Sequence, residues 1–180
     1  IGLIGEVFAG MTDVLLPARQ FQAETGSRIV RISMKRVHDV MEAGSEREVA
    51  QLEKELRRTF TFGRFSQKEM QYSLRAALAI RKIVAAEKLD CAAFNSHSTL
   101  GLKSKRLGIM CALGITLATS NGCPIAEVGD LCTAFALWLG RRWSGACFYT
   151  ERDSAYLSAL HWFVRISGVL DRPWLRRLLT

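Results

Sequence analysis

Residues 1–33 read IGLIGEVFAGMTDVLLPARQFQAETGSRIVRIS, and this stretch decides the fold. Ile1-Gly-Leu-Ile-Gly5 is short and apolar, and Glu6-Val-Phe-Ala-Gly10 behind it is a glycine-containing loop. Thr12 or Asp13 is placed to cap a helix running towards Thr25, and Gly26 ends it. Arg28-Ile-Val-Arg-Ile-Ser33 supplies a second strand. Strand, helix and strand at this spacing form a βαβ unit, which implies a parallel sheet covered on both faces.

The rest of the chain extends the same alternation. Ser45-Glu-Arg-Glu48 and Ser66-Gln-Lys-Glu69 each have the S-x-x-E form of a capping box, in which each side chain satisfies the other residue's orphan N–H. From Ser66 the apolar residues Met70, Leu74, Ala77, Leu78, Ile80, Ile83 and Val84 mostly follow a 3.6-residue period. Leu89 to Phe94 is the next buried strand, with Asn95-Ser-His-Ser-Thr99 as the loop at its carboxyl end. Leu107 to Met110 reads as a strand feeding a small-residue helix up to Ser120, and Asn121-Gly-Cys-Pro124 is a turn. Pro124 to Val128 is a short strand, Gly129-Asp130 opens an apolar helix to Trp143, and Gly145 to Tyr149 is a last strand. The expected fold is therefore α/β, a three-layer Rossmann-like parallel sheet over residues 1–153. Residues 154–180 are expected to form a basic helical tail carrying Arg165, Arg172, Arg176 and Arg177.

Composition narrows the function classes. A chain of 180 residues with 49% hydrophobic and 23% charged residues has the make-up of a globular domain. Its apolar runs fall short of the roughly 20 residues that cross a bilayer, so no membrane span is expected. Five cysteines without a Cys-x-x-Cys pair lie in apolar runs. They read as buried thiols in a reducing cytoplasm rather than a zinc site or disulfide framework. The net charge of +8 raises a nucleic-acid surface. The basic residues between Lys54 and Lys105 are scattered along helical patterns, however, so no nucleic-acid partner is expected. The chain opens inside a strand without Met, which leads us to expect further sequence upstream.

In open parallel sheets, ligands bind at the carboxyl ends of the strands. That places Glu6, the Asn95/Ser96/His97 loop, Glu127 with Asp130, and Glu151 with Asp153 as candidates. Each has a plainer reading beside it. Asp130 after Gly at a helix start is an N-cap, Glu127 a strand-end carboxylate, and His97 a hydrogen-bonded loop residue. His38 and His161 lie in helical patterns and read as structural. Gly2, Gly5 and Gly10 do not make G-x-G-x-x-G, and no Walker-type lysine follows.

The order of short motifs resembles the L-fucose/L-arabinose isomerase-like family. Ile1 to Glu6 with Gly10-Met-Thr-Asp13 is similar to the start of that family's second domain. Leu89-Asp-Cys-Ala-Ala-Phe-Asn95 with His97 is similar to its next strand and Asn-x-His loop. Gly122-Cys-Pro124, Val128-Gly-Asp130, Ser144-Gly-Ala146 and Tyr149-Thr-Glu151 follow the family order, and the resemblance covers roughly residues 1–153. It implies a fragment of an aldose–ketose isomerase that binds a small-molecule sugar, forms homo-oligomers and works with a divalent cation, usually manganese. In the parent enzyme the metal would hold two sugar oxygens while a proton moves through an ene-diolate. By the same resemblance Glu151 is a metal ligand or base, Asp130 a catalytic carboxylate, and Asn95, His97 and Glu6 contact the sugar. Where relatives carry an acidic ligand directly before Gly-Asp this chain has Val128, and Glu127, one residue earlier, is the second expected metal ligand. A one-residue shift on a strand turns a side chain to the other face, so Glu127 serves in that role only with a local rearrangement of the loop. The family's C-terminal histidine has no counterpart in residues 154–180. The alternative expectation is a non-catalytic sugar-binding or regulatory module that has lost the metal.

Overall fold

The computed structural model describes residues 1–7, 16–60, 66–95 and 111–147, with the backbone of 151–156 and 161–165. At its centre lies β1 (Gly2–Ile4), paired in parallel with β2 (Val30–Ile32) on one side and β3 (Ala92–Phe94) on the other. Leu3 stands opposite both Arg31 and Ala93. Outside β3 lies β4 (Ile125–Ala126), also parallel, with Ala92 opposite Ile125. The order is therefore β2-β1-β3-β4. Leu3, Ile4, Ala92, Ala93, Phe94, Ile125 and Ala126 are all buried. That explains why these strands read as unbroken apolar runs rather than alternating ones: both faces of a parallel sheet are covered.

The first crossover is α1 (Ala18–Thr25), closed by Gly26 in the left-handed conformation at φ 67°. Its start differs from the expectation of a helix capped by Thr12 or Asp13. Pro17 takes the N-cap position, and its fixed φ of −56° and missing N–H suit a helix entrance. Thr12 and Asp13 lie outside the described residues. Phe21 of α1 meets Phe135 edge-on at 5.9 Å, which joins α1 to α6 (Leu131–Ser144) on one face of the sheet.

The other face carries α2 (Met34–Glu42), α3 (Glu46–Arg57), α4 (Gln67–Ala86) and α5 (Ala112–Ser120). Both expected capping boxes form. Ser45 accepts from the Glu48 N–H at 3.3 Å, and Ser66 from the Glu69 N–H at 3.2 Å, with each glutamate reaching back to its serine. The α4 helix spans the length that its periodicity predicts. It approaches α5 closely at Gly114, where a Cβ would stand 2.9 Å from the Ala77 Cα. The Ile80 side chain, whose Cδ1 would lie 2.7 Å away, could turn aside, but the Ala77 backbone could not, so glycine is needed there.

Two C-terminal expectations are corrected. Residues 145–147 are not a strand, and 148–150 lie outside the described residues. The tail read as helical instead contains β5 (Glu151–Tyr156) and β6 (His161–Arg165), an antiparallel pair with Glu151 opposite Arg165. The run His161-Trp-Phe-Val164 is rich in aromatic and β-branched residues that fit a pleated strand. His161 consequently belongs to a strand rather than a helix. Residues 157–160 and 166–180 of that tail, like the strand expected at 107–110, fall outside the described residues. Among the described residues, no helix is long and apolar enough to cross a membrane.

Candidate functional site

The strand order fixes where a site belongs. From β1 the chain steps outward to β2, then crosses back to β3 on the other side, so the order reverses between β1 and β3. Helices leave on opposite faces at such a switch point, which opens a crevice beyond the carboxyl ends of those two strands. Glu6 follows β1 and is exposed, while Asn95 follows β3 and is 2% exposed.

Three loops meet at this edge. The Asn95 side-chain amide donates to the Glu6 carbonyl, bridging the β1 and β3 loops. The Asn95 N–H donates to the Ile4 carbonyl at 2.8 Å, continuing the sheet ladder by one rung. Gly129, from the loop after β4, donates to the Phe94 carbonyl at 3.2 Å. Its backbone lies so near the β1 loop that a Cβ would stand 3.0 Å from the Val7 Cα and 3.2 Å from the Glu6 carbonyl oxygen. A glycine at φ 77° is the residue that this approach permits.

The same loop holds the clearest backbone strain. Asp130 N–H returns to the Glu127 carbonyl at 3.2 Å, closing a turn whose central residues Val128 and Gly129 have φ of 54° and 77°. Positive φ is unusual for a β-branched residue, and a strained conformation persists only where its surroundings hold it. Because β4 ends at Ala126, Glu127 belongs to this turn, so the face-swapping rule for a one-residue shift on a strand does not govern it. Glu127 is half-buried, and its charge reaches Cys111 at the entrance to α5.

Asp130 is the N-cap of α6. One oxygen accepts from the Thr133 N–H at 2.9 Å and the other from the Thr133 hydroxyl at 2.6 Å. The sequence offers this cap reading and a catalytic one, and the geometry spends both carboxylate oxygens on the cap. The buried thiols are poor nucleophiles, Cys111 near this edge and Cys91 and Cys123 at the opposite ends of β3 and β4. Burial pushes Cys111 up to about 12, and the Glu127 charge adds to that shift. Burial likewise pushes Cys91 and Cys123 up to about 12. Thiols that hold their protons at neutral pH behave as core hydrophobes.

Of the expected site residues, the structure brings Glu6, Asn95, Glu127 and Asp130 to one edge. His97 lies outside the described residues, and of Glu151 only the backbone is described, at the first position of β5 rather than in a loop after a parallel strand. Among the described residues no three His, Cys, Asp or Glu side chains gather as a metal would need. The Val128–Gly129 strain and the contact of Gly129 with the β1 loop went unread in the sequence, where only the Gly-Asp pair marked the spot. No protein-family model matches the chain, and no curated protein matches it either.

Proposed function

We propose that this chain is a non-catalytic sugar-binding or regulatory module, built on a sheet like that of the L-fucose/L-arabinose isomerase-like enzymes. One observation carries the reading. Glu6, Asn95 and the Glu127–Asp130 turn converge at the β1/β3 switch point as a polar edge without three clustered metal-ligating side chains among the described residues. Such an edge offers hydroxyl-binding groups: the exposed Glu6 carboxylate, the half-buried Glu127 carboxylate and the backbone of the turn. A sugar is held by charge-assisted hydrogen bonds to carboxylates, which are stronger than neutral ones. Asp130 supports the module by starting α6 and so holding the turn in place. Free, buried Cys91, Cys111 and Cys123 support a reducing, cytoplasmic setting.

Self-association is part of the same proposal. On α6 the residues Cys132, Thr133, Ala136, Leu139, Gly140 and Trp143 share a helical face without a charge, and Trp143 is 82% exposed.

Calorimetric titration with L-fucose and with L-arabinose, in manganese and again in chelator, tests the reading. Equal affinity in both conditions is expected. Binding that disappears with the metal would restore the alternative, a piece of a metal-dependent aldose–ketose isomerase.

A further inference from the structure

The opposite edge of the sheet, where α4 and α5 end, carries a cleft of about 280 Å³ between α3, α4 and α5. Leu52 and Leu56 of α3, Ala77 of α4 and Leu117 of α5 give it an apolar lining. Two exposed charged residues also line it, Glu55 from α3 and Arg81 from α4, together with the exposed Asn121.

Among the described residues, Glu55 and Arg81 are the charged side chains of these helices that line the cleft, and the ion pairs of α3 and α4 involve other residues. Arg57 pairs with Glu53, Arg75 with Glu46 and Lys82 with Glu48. Among the described residues neither Arg81 nor Glu55 makes an ion pair, and Glu55 accepts a hydrogen bond from the Gln51 amide at 2.9 Å. The cleft thus offers one cation and one anion beside an apolar surface, neither of them in an ion pair among the described residues. Its volume falls just below the range of drug-sized ligand pockets, which starts near 300 Å³, and so suits a small ligand.

We propose that this cleft binds a small zwitterion with an apolar tail, the chemistry of a free branched amino acid. The ammonium sits on Glu55, the carboxylate on Arg81, and the tail against Leu52, Leu56 and Leu117. A simple fatty acid would leave its carboxylate beside Glu55, and a simple amine would leave Arg81 unmatched. Only a ligand carrying both charges matches the pair. The site is separate from the sugar-binding edge, so the two proposals stand or fall independently.

Amide NMR titration of the full chain with leucine, 4-methylpentanoate and 3-methylbutylamine tests it. Leucine is expected to shift the Leu52, Ala77 and Leu117 amides saturably. The two half-molecules should bind about two- to fivefold more weakly, the worth of one ion pair at an exposed site. Arg81→Gln and Glu55→Gln, both surface changes, should each weaken leucine to the level of the matching half-molecule. Absence of a saturable shift with leucine at about 10 mM, a concentration that reveals even millimolar affinity, would overturn the proposal. So would unchanged leucine affinity in Arg81→Gln, or 4-methylpentanoate binding as tightly as leucine.

Discussion

Asp130 and Thr133 show how a residue can carry two readings until its oxygens are counted. Asp130 accepts from the Thr133 N–H and hydroxyl at 2.9 and 2.6 Å, so its carboxylate already has specific work. Asp130→Ala is expected to cost about 1 kcal/mol of stability, because α6 loses its cap, whereas Asp130→Asn should stay within a few tenths, since asparagine caps equally well. Urea unfolding of the two variants measures this. Equal, large losses in both would mean that the negative charge itself matters. Asn95 was legible as a candidate because it follows an apolar strand, but its bond to the Glu6 carbonyl joins residues 89 positions apart and leaves no local signal. Val128 was noticed only as a departure from a family pattern. Its positive φ depends on what packs around the turn, which sequence spacing does not carry.

At the scale of elements, the sequence spoke most clearly where side chain and backbone signal within four residues. Ser45 and Ser66 announced α3 and α4 through capping boxes, and both boxes form. Helix α2 was less visible, because its N-cap Ser33 also closes the apolar run of β2. The β5–β6 pair was missed because its pairing, with Tyr156 opposite His161, is a register between two segments that local spacing does not carry. One box extends into a longer link. Glu48, bonded to the Lys82 ammonium at 2.8 Å and to Ser45, is held down at about 2, with Lys82 the largest cause. A carboxylate depressed below its ordinary 4.5 stabilises the fold above that value, and the contribution disappears as pH falls towards 2. Lys82→Met is expected to raise the Glu48 pKa, with Ser45 still keeping it below the ordinary value. Carboxyl-detected NMR titration reads the change, and an unmoved Glu48 would show that Lys82 does not hold it.

Across the whole molecule, a βαβ reading of 33 residues was enough to give the parallel sheet and its two covered faces, since apolar strands and helix caps repeat along the chain. The strand order was not legible, because β2-β1-β3-β4 depends on which edge each crossover returns to. That order defines the crevice between the Glu6 and Asn95 loops, and with it the sugar-binding proposal. The uncharged α6 face ending in Trp143 leads us to expect self-association despite the net charge of +8. Light scattering should show a concentration-dependent mass that Trp143→Glu reduces; a constant monomer mass in the unaltered chain would count against this. The central claim, sugar binding without turnover, is most directly tested by incubating the chain with manganese and carbon-13-labelled L-fucose or L-arabinose, then removing the metal with chelator and recording NMR spectra of the same sample. Saturation transfer to the sugar protons reports binding, and the carbon spectrum reports ketose. Saturation transfer with no ketose above the protein-free control is the expected result; ketose that accumulates in proportion to the protein would contradict it.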